Sequence, residues 1–185
     1  FTAGLDAAGN PVSLTARVAS PALSIAAGFT KELPKGIDEL AIEGIGDMLY
    51  AFPNLRVEYA QAEPGVPFWF WRSVGHSQNV YFIEAFIDEI AAAAGRDPVE
   101  FRRSLLARQP RLRGVLDLAA QKAGWGSPPP QGVHRGVAIT NCFGSFVAQV
   151  AEVSMDASGK PRVHRIVAAV DCGRTVNPDV IHRQV

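Results

Sequence analysis

The chain has 185 residues, 48% of them hydrophobic and 19% charged, with 18 basic side chains balancing 18 acidic ones. That composition fits one domain with a sizeable core, or two small lobes, and excludes a disordered chain. A neutral chain without a basic tract offers nothing to nucleic acid or an anionic membrane. Two cysteines, Cys142 and Cys172, are too few for a disulfide scaffold; they read as two buried free thiols, with a single pairing as the alternative. No apolar run approaches the roughly 20 residues that span a bilayer.

Taken in order, the chain opens on a strand end followed by a turn at Asp6-Ala7-Ala8-Gly9-Asn10-Pro11. Val12, Leu14, Ala16 and Val18 alternate with polar residues, the period of a half-buried strand. Residues 21–35 read as loop, residues 37–45 as a short helix, and residues 55–60 as a second strand. A turn at 63–67 feeds the run Phe68-Trp69-Phe70-Trp71, which reads as buried. Phe82, Ile83, Phe86, Ile87, Ile90 and Ala94 have helical spacing, and Gly95 is placed to stop that helix. Asp97, Pro98 and Glu100 form the start signal of a second helix. A third follows Pro110, carries Leu112, Val115, Leu116 and Ala119 on one face, and ends at Gly124-Trp125-Gly126.

The proline-rich stretch 127–132 is the best internal boundary. Beyond it, residues 135–143, 146–155 and 162–170 read as strands, the last two joined by a hairpin loop at Asp156-Ala157-Ser158-Gly159-Lys160. Asn177 and Pro178 start a final short helix. The expected fold is α+β: a helical layer of three consecutive helices packed on β-strands, followed by an antiparallel β-hairpin unit. Residues 1–126 would carry the helices and residues 127–185 the antiparallel unit, together forming one structural domain. Both chain ends read as cuts, so the expected whole is a larger protein.

The chemistry concentrates at Arg72-Ser73-Val74-Gly75-His76-Ser77. A guanidinium is always charged and presents a fixed fork of donors to phosphate, carboxylate or an oxo-metal group. Gly75 permits close backbone approach, and a helix N-terminus favours negative charge. The alternative is a structural arginine stacked on aromatic rings. His76 reads as a general base, or as a cap or hydrogen-bonded surface residue. Glu84 and Asp88 lie one helical turn apart, either as a cation site or as a solvated face. The histidines and cysteines lack the paired spacing of a zinc centre. Asp171-Cys172-Gly173-Arg174-Thr175-Val176-Asn177-Pro178 is turn chemistry leading to a helix, in which Gln184 could both donate and accept towards a polar ligand.

Three stretches carry a family resemblance: Trp71 to Ser77 running on through residues 82–91 and 95–102, then Ala148-Gln149-Val150-Ala151-Glu152-Val153, then residues 170–178 with Gln184-Val185. Together they resemble the molybdopterin-binding large subunit of the xanthine dehydrogenase and aldehyde oxidase family, nearest the isoquinoline 1-oxidoreductase beta-subunit type. The resemblance implies a molybdenum hydroxylase that inserts water-derived oxygen at an aldehyde or N-heteroaromatic carbon. It implies a molybdopterin-type cofactor and iron–sulfur clusters on a small [2Fe-2S] partner subunit, with an external electron acceptor such as a cytochrome. Arg72 would line the cofactor beside Gly75, and Gln184 would contact the pterin. Val74 would border the substrate pocket where xanthine dehydrogenases carry an aromatic. The family's general-base glutamate and glycine-rich cofactor loops are absent from these residues, so no catalytic residue is expected here. The second expectation, from a different class, is a scaffold or interaction domain without a site of its own. The sequence does not decide between a cytoplasmic and a periplasmic or membrane-associated location.

Overall fold

The structure is a computed structural model and describes residues 1–185. It is mixed α/β, with two three-stranded sheets and six helices. Contacts divide the chain into two compact units, residues 1–105 and 106–185.

In the first unit, β1 (Thr2–Leu5) pairs antiparallel with β2 (Pro11–Ser20), and β2 pairs in parallel with β3 (Leu55–Gln61). The Asp6 carboxylate closes the first turn by accepting from the amides of Ala8 and Asn10. A parallel pair needs a long crossover. Here the crossover carries α1 (Leu23–Ala26), a 3-10 turn at Pro34–Gly36 and α2 (Glu39–Ile42). The sequence reads α1 as loop, because one helical turn has no periodicity. It is held by Asp38, a buried carboxylate that accepts from the Ser24 amide at 2.9 Å, the Ser24 hydroxyl at 2.6 Å and the Leu40 amide at 3.1 Å.

The long helix α3 (His76–Ala93) ends as its glycine signal predicts, with Gly95 at φ 63°. Its buried stripe is rotated from the expected one. Ile83, Ile87, Ile90 and Ala91 are buried together with Asn79 and Glu84, whereas Phe82 is exposed. Polar burial explains the rotation. The Asn79 amide donates to the carbonyls of Ala41 and Glu43 at 2.9 and 2.8 Å, which anchors α3 to the segment at the end of α2. The next helix, α4 (Pro98–Leu105), starts where Asp97 accepts from the amides of Val99 and Glu100.

Arg102 of α4 is fully buried and locks the two helices together. It donates to the Glu84 carboxylate at 3.0 Å, the Glu84 carbonyl at 3.0 Å and Asp88 at 2.5 Å, while the Tyr50 hydroxyl donates to Glu84 at 2.7 Å. Burial opposes the charge on Arg102, but Glu84, Tyr50 and Asp88 together hold its pKa above the ordinary value. Burial, and then the Glu84 charge, push the Tyr50 phenol well above its own.

In the second unit, α5 (Pro110–Ala123) packs across an antiparallel sheet of β4 (His134–Cys142), β5 (Ser145–Met155) and β6 (Pro161–Asp171). Of the three helices expected in one layer, α3 and α4 belong to the first unit and α5 to the second. The apolar face of α5, Leu112, Val115, Leu116, Ala119 and Ala123, is buried with the β4–β6 sheet, so the contact boundary precedes α5 and the proline stretch is a loop within the second unit. Arg135 fixes that loop by donating to the Gly124 and Ser127 carbonyls and to Glu152.

The β5–β6 hairpin closes on Asp156, which accepts from the amides of Ser158 and Lys160. The β4–β5 hairpin is a two-residue turn, Phe143 and Gly144, both at positive φ as a primed turn requires. The last helix, α6 (Pro178–His182), is capped by Asn177 as its sequence predicts. No helix is long and apolar enough to cross a membrane.

Candidate functional site: the turn entering α3

The chain from Trp71 to Gly75 forms tight turns that run into α3, and this places Arg72, Val74 and Gly75 together. Arg72 is exposed, Val74 half-buried and Gly75 buried. The aromatic run is not buried as its composition suggests: Trp69 is 66% and Trp71 78% exposed, while Phe70 stacks on Phe29. The arginine therefore follows, in the chain, two exposed indoles rather than a buried aromatic run.

Two residues of the turn carry unusual backbone. Ser73 has φ 70° and Val74 φ 50°. For a β-branched side chain this is a real departure from the allowed regions, and such residues cost about 1–3 kcal/mol each. Hydroxyls brace the turn from within, since Ser73 Oγ and Ser77 Oγ both donate to the Arg72 carbonyl at 2.5 Å. The amides of His76 and Ser77 donate back to the carbonyls of Ser73 and Val74. Those first amides of α3 are thus used by the chain itself, and what the helix end offers an anion is its dipole.

Gly75 allows a close approach, and that approach is to protein. A Cβ there would lie 2.4 Å from the Leu40 carbonyl oxygen and 3.0 Å from Glu43 Cβ. Its amide donates to Glu43 Oε2 at 3.2 Å. His76 is buried between two carboxylates, with Nδ1 3.6 Å from Glu43 Oε2 and Nε2 3.2 Å from Asp47 Oδ2. Asp47 also accepts from the Gly44 amide at 2.5 Å. Burial raises the Glu43 carboxyl above the ordinary range, against the lowering effect of the Gly75 amide and of His76. Glu43 and Asp47 carry no sequence signal that points to this turn, because their link to it spans some thirty residues and exists only in the fold.

A recess of about 370 Å³ lined by Glu39, Leu40, Ile42, Glu43, Gly46 and Asp47 shares two of these carboxylates. Its charge is wrong for a phosphate-bearing ligand. Glu84 and Asp88 match neither expectation for them: the cation they hold is Arg102. No group of three or more His, Cys, Asp or Glu side chains is arranged to hold a metal.

In the second unit, Gln184 is exposed in the turn after α6. The loop leading to it is fixed at its start. Arg111 makes a bidentate pair with Asp171 at 2.8 and 2.7 Å while stacking on Phe146, and Asp171 also accepts from the Gly173 amide. The Arg111 hydrogen bonds, then that of Gly173, hold the Asp171 carboxyl down at about 2.

The match to a known family pattern follows the same division, while the similarity to whole relatives crosses it. The family pattern described as "Molybdopterin cofactor-binding domain" matches residues 2–106. Across 146 residues, or 76% of its length, the chain is 30% identical to the beta chain of isoquinoline 1-oxidoreductase from Brevundimonas diminuta, covering 19% of that protein. It is 31% identical over 155 residues to one of the subunits of nicotinate dehydrogenase from Pseudomonas putida, covering 74% of the chain and 13% of that protein. It is 29% identical over 169 residues to a membrane-bound aldehyde dehydrogenase of Gluconacetobacter polyoxogenes whose name carries pyrroloquinoline-quinone, covering 78% of the chain and 22% of that protein. The chain therefore spans between an eighth and a quarter of the length of these relatives. With the family pattern covering more than half of its residues, including the whole Arg72 turn, the chain belongs to the molybdopterin cofactor-binding domain family.

Proposed function

We propose that the protein containing this chain is a molybdenum-cofactor-dependent oxidoreductase, and that these residues form part of its cofactor wall. The observation that carries the reading is the place of the strained, exposed Arg72 turn inside the matched region. The names of the relatives support the reaction class, an oxidation of N-heteroaromatic or aldehyde carbon. When bound, the cofactor would supply the redox chemistry that places water-derived oxygen on that carbon.

The residues fit such a group. A molybdopterin carries an anionic phosphate and a polar pyrimidine edge, so it calls for fixed hydrogen-bond donors rather than acids. Arg72 supplies a permanent cation, and Trp69 and Trp71, close before it in the chain, supply exposed indole surface. Gly75 supports this wall from behind, through its contact with Leu40 and Glu43. Val74 would meet the substrate as a small aliphatic surface instead of an aromatic plate. Gln184 would hold the pterin through its amide. General-base catalysis would come from residues outside this chain, so the 185 residues by themselves would be inactive. Electrons would leave through a small [2Fe-2S] subunit to an acceptor such as a cytochrome.

Replacing Arg72 tests the reading. Arg72→Ala in the full-length protein should lower molybdenum content at unchanged folding. Wild-type content in that variant would remove Arg72 from the cofactor site. A second reading, a scaffold domain without a site, is favoured by the exposed Phe29, Trp69 and Trp71. It predicts wild-type oxidoreductase activity after Trp69→Ala and Trp71→Ala, with loss of assembly.

A further inference from the structure

A turn with two consecutive left-handed non-glycine residues keeps its shape only if its surroundings over-determine it. The turn is braced from within by its own hydroxyls. On its inner side it meets a joint built by the segment from Glu39 to Asp47. Gly75 presses on the Leu40 carbonyl with no room for a side chain. Gly44, at φ 83°, lets the same segment close on α3, since a Cβ there would lie 3.1 Å from Val80 Cγ2. Between these two glycine contacts, one Glu43 carboxylate oxygen meets both the Gly75 amide and His76 Nδ1, and Asp47 meets His76 from the other ring nitrogen. A half-buried carboxylate costs free energy unless it is used. This one is used on the turn and on the first residue of α3.

We propose that Glu43 is a positioning residue of the cofactor wall: its carboxylate, seated between the Gly75 amide and the His76 ring, sets the attitude of the Arg72–Gly75 turn. Asp47 assists by holding the far side of the His76 ring. Neither carboxylate meets the cofactor. They act through Gly75 and His76, and the proposal rests on Arg72 belonging to that wall.

The test uses the full-length protein purified from a host that makes the cofactor, with hydrogen–deuterium exchange of the peptide over residues 72–77 as the readout that needs no activity. Glu43→Ala should speed exchange at this peptide up to about tenfold, the effect of losing one part-buried hydrogen bond, and lower molybdenum and pterin per protein. Glu43→Gln keeps an oxygen that can accept from Gly75 and should restore both towards wild type. If Glu43→Ala does not fold, Asp47→Asn, at a half-exposed side chain, decides instead: the same direction of change in the peptide and in occupancy is expected. Arg17→Ala, at an exposed strand pair, should change neither readout. Wild-type exchange and occupancy in Glu43→Ala would overturn the proposal. So would exchange that rises equally through the whole first unit, since that is loss of stability and not of position. A wild-type protein without molybdenum would instead overturn the proposed function, and the exchange readout would still report on the joint.

Discussion

Arg102 and Gly75 show how much depends on single residues in this unit. Arg102 is fully buried, and its charge is tolerable only because Glu84 and Asp88 face it and Tyr50 completes the Glu84 shell. Arg102→Met leaves Glu84 as a buried, uncompensated carboxylate and should cost about 3–5 kcal/mol, read from denaturant unfolding. Adding Glu84→Leu should recover part of that loss, and a double variant no better than the single would contradict the pairing. Gly75 fails differently. Gly75→Ala puts a methyl 2.4 Å from a backbone oxygen that cannot move far. It should destabilise by about 1–3 kcal/mol, with the disturbance centred on residues 40–43 and 72–77 in an amide exchange map.

Among the elements, those punctuated locally are legible in the sequence. Gly95 and Asp97 separate α3 from α4, Asp156 to Lys160 turns β5 into β6, and Asn177 caps α6, each through contacts within a few residues. What depends on distant partners is not legible. The single turn of α1 needs Asp38, the parallel pairing of β2 with β3 needs a crossover, and the apolar face of α5 does not announce which sheet it will cover. The same holds for the candidate site. Arg72, Val74 and Gly75 stand out as a motif, whereas Glu43 and Asp47 join them only through the fold.

The link between α5 and β6 gives an element-level prediction. The folded Asp171 carboxyl sits at about 2, below its ordinary 3.8, because Arg111 and the Gly173 amide bind its charged form. A depressed folded value means that the stabilisation is complete above the ordinary value and is lost as pH falls. Thermal stability of the second unit should therefore decline between about pH 4 and pH 2. Asp171→Asn should flatten the profile in that window, and an unchanged slope would show that other carboxylates govern it.

At the scale of the whole molecule, the family pattern covers the first unit, and the chain spans a small share of each relative. In the first unit the proposed wall has its donor at Arg72 and its support at Gly75 and Glu43, and Gln184, in the second unit, is a separate proposed contact. A wall of this kind should not retain cofactor alone, because the charge and reactive centre of a molybdopterin need enclosing on several sides. The most direct measurement is molybdenum by plasma mass spectrometry, with pterin fluorescence, on the 185-residue chain and on the full-length protein purified side by side from a host that builds the cofactor. The account predicts metal and pterin in the full-length protein and neither in the chain. A folded full-length protein with no molybdenum would contradict it.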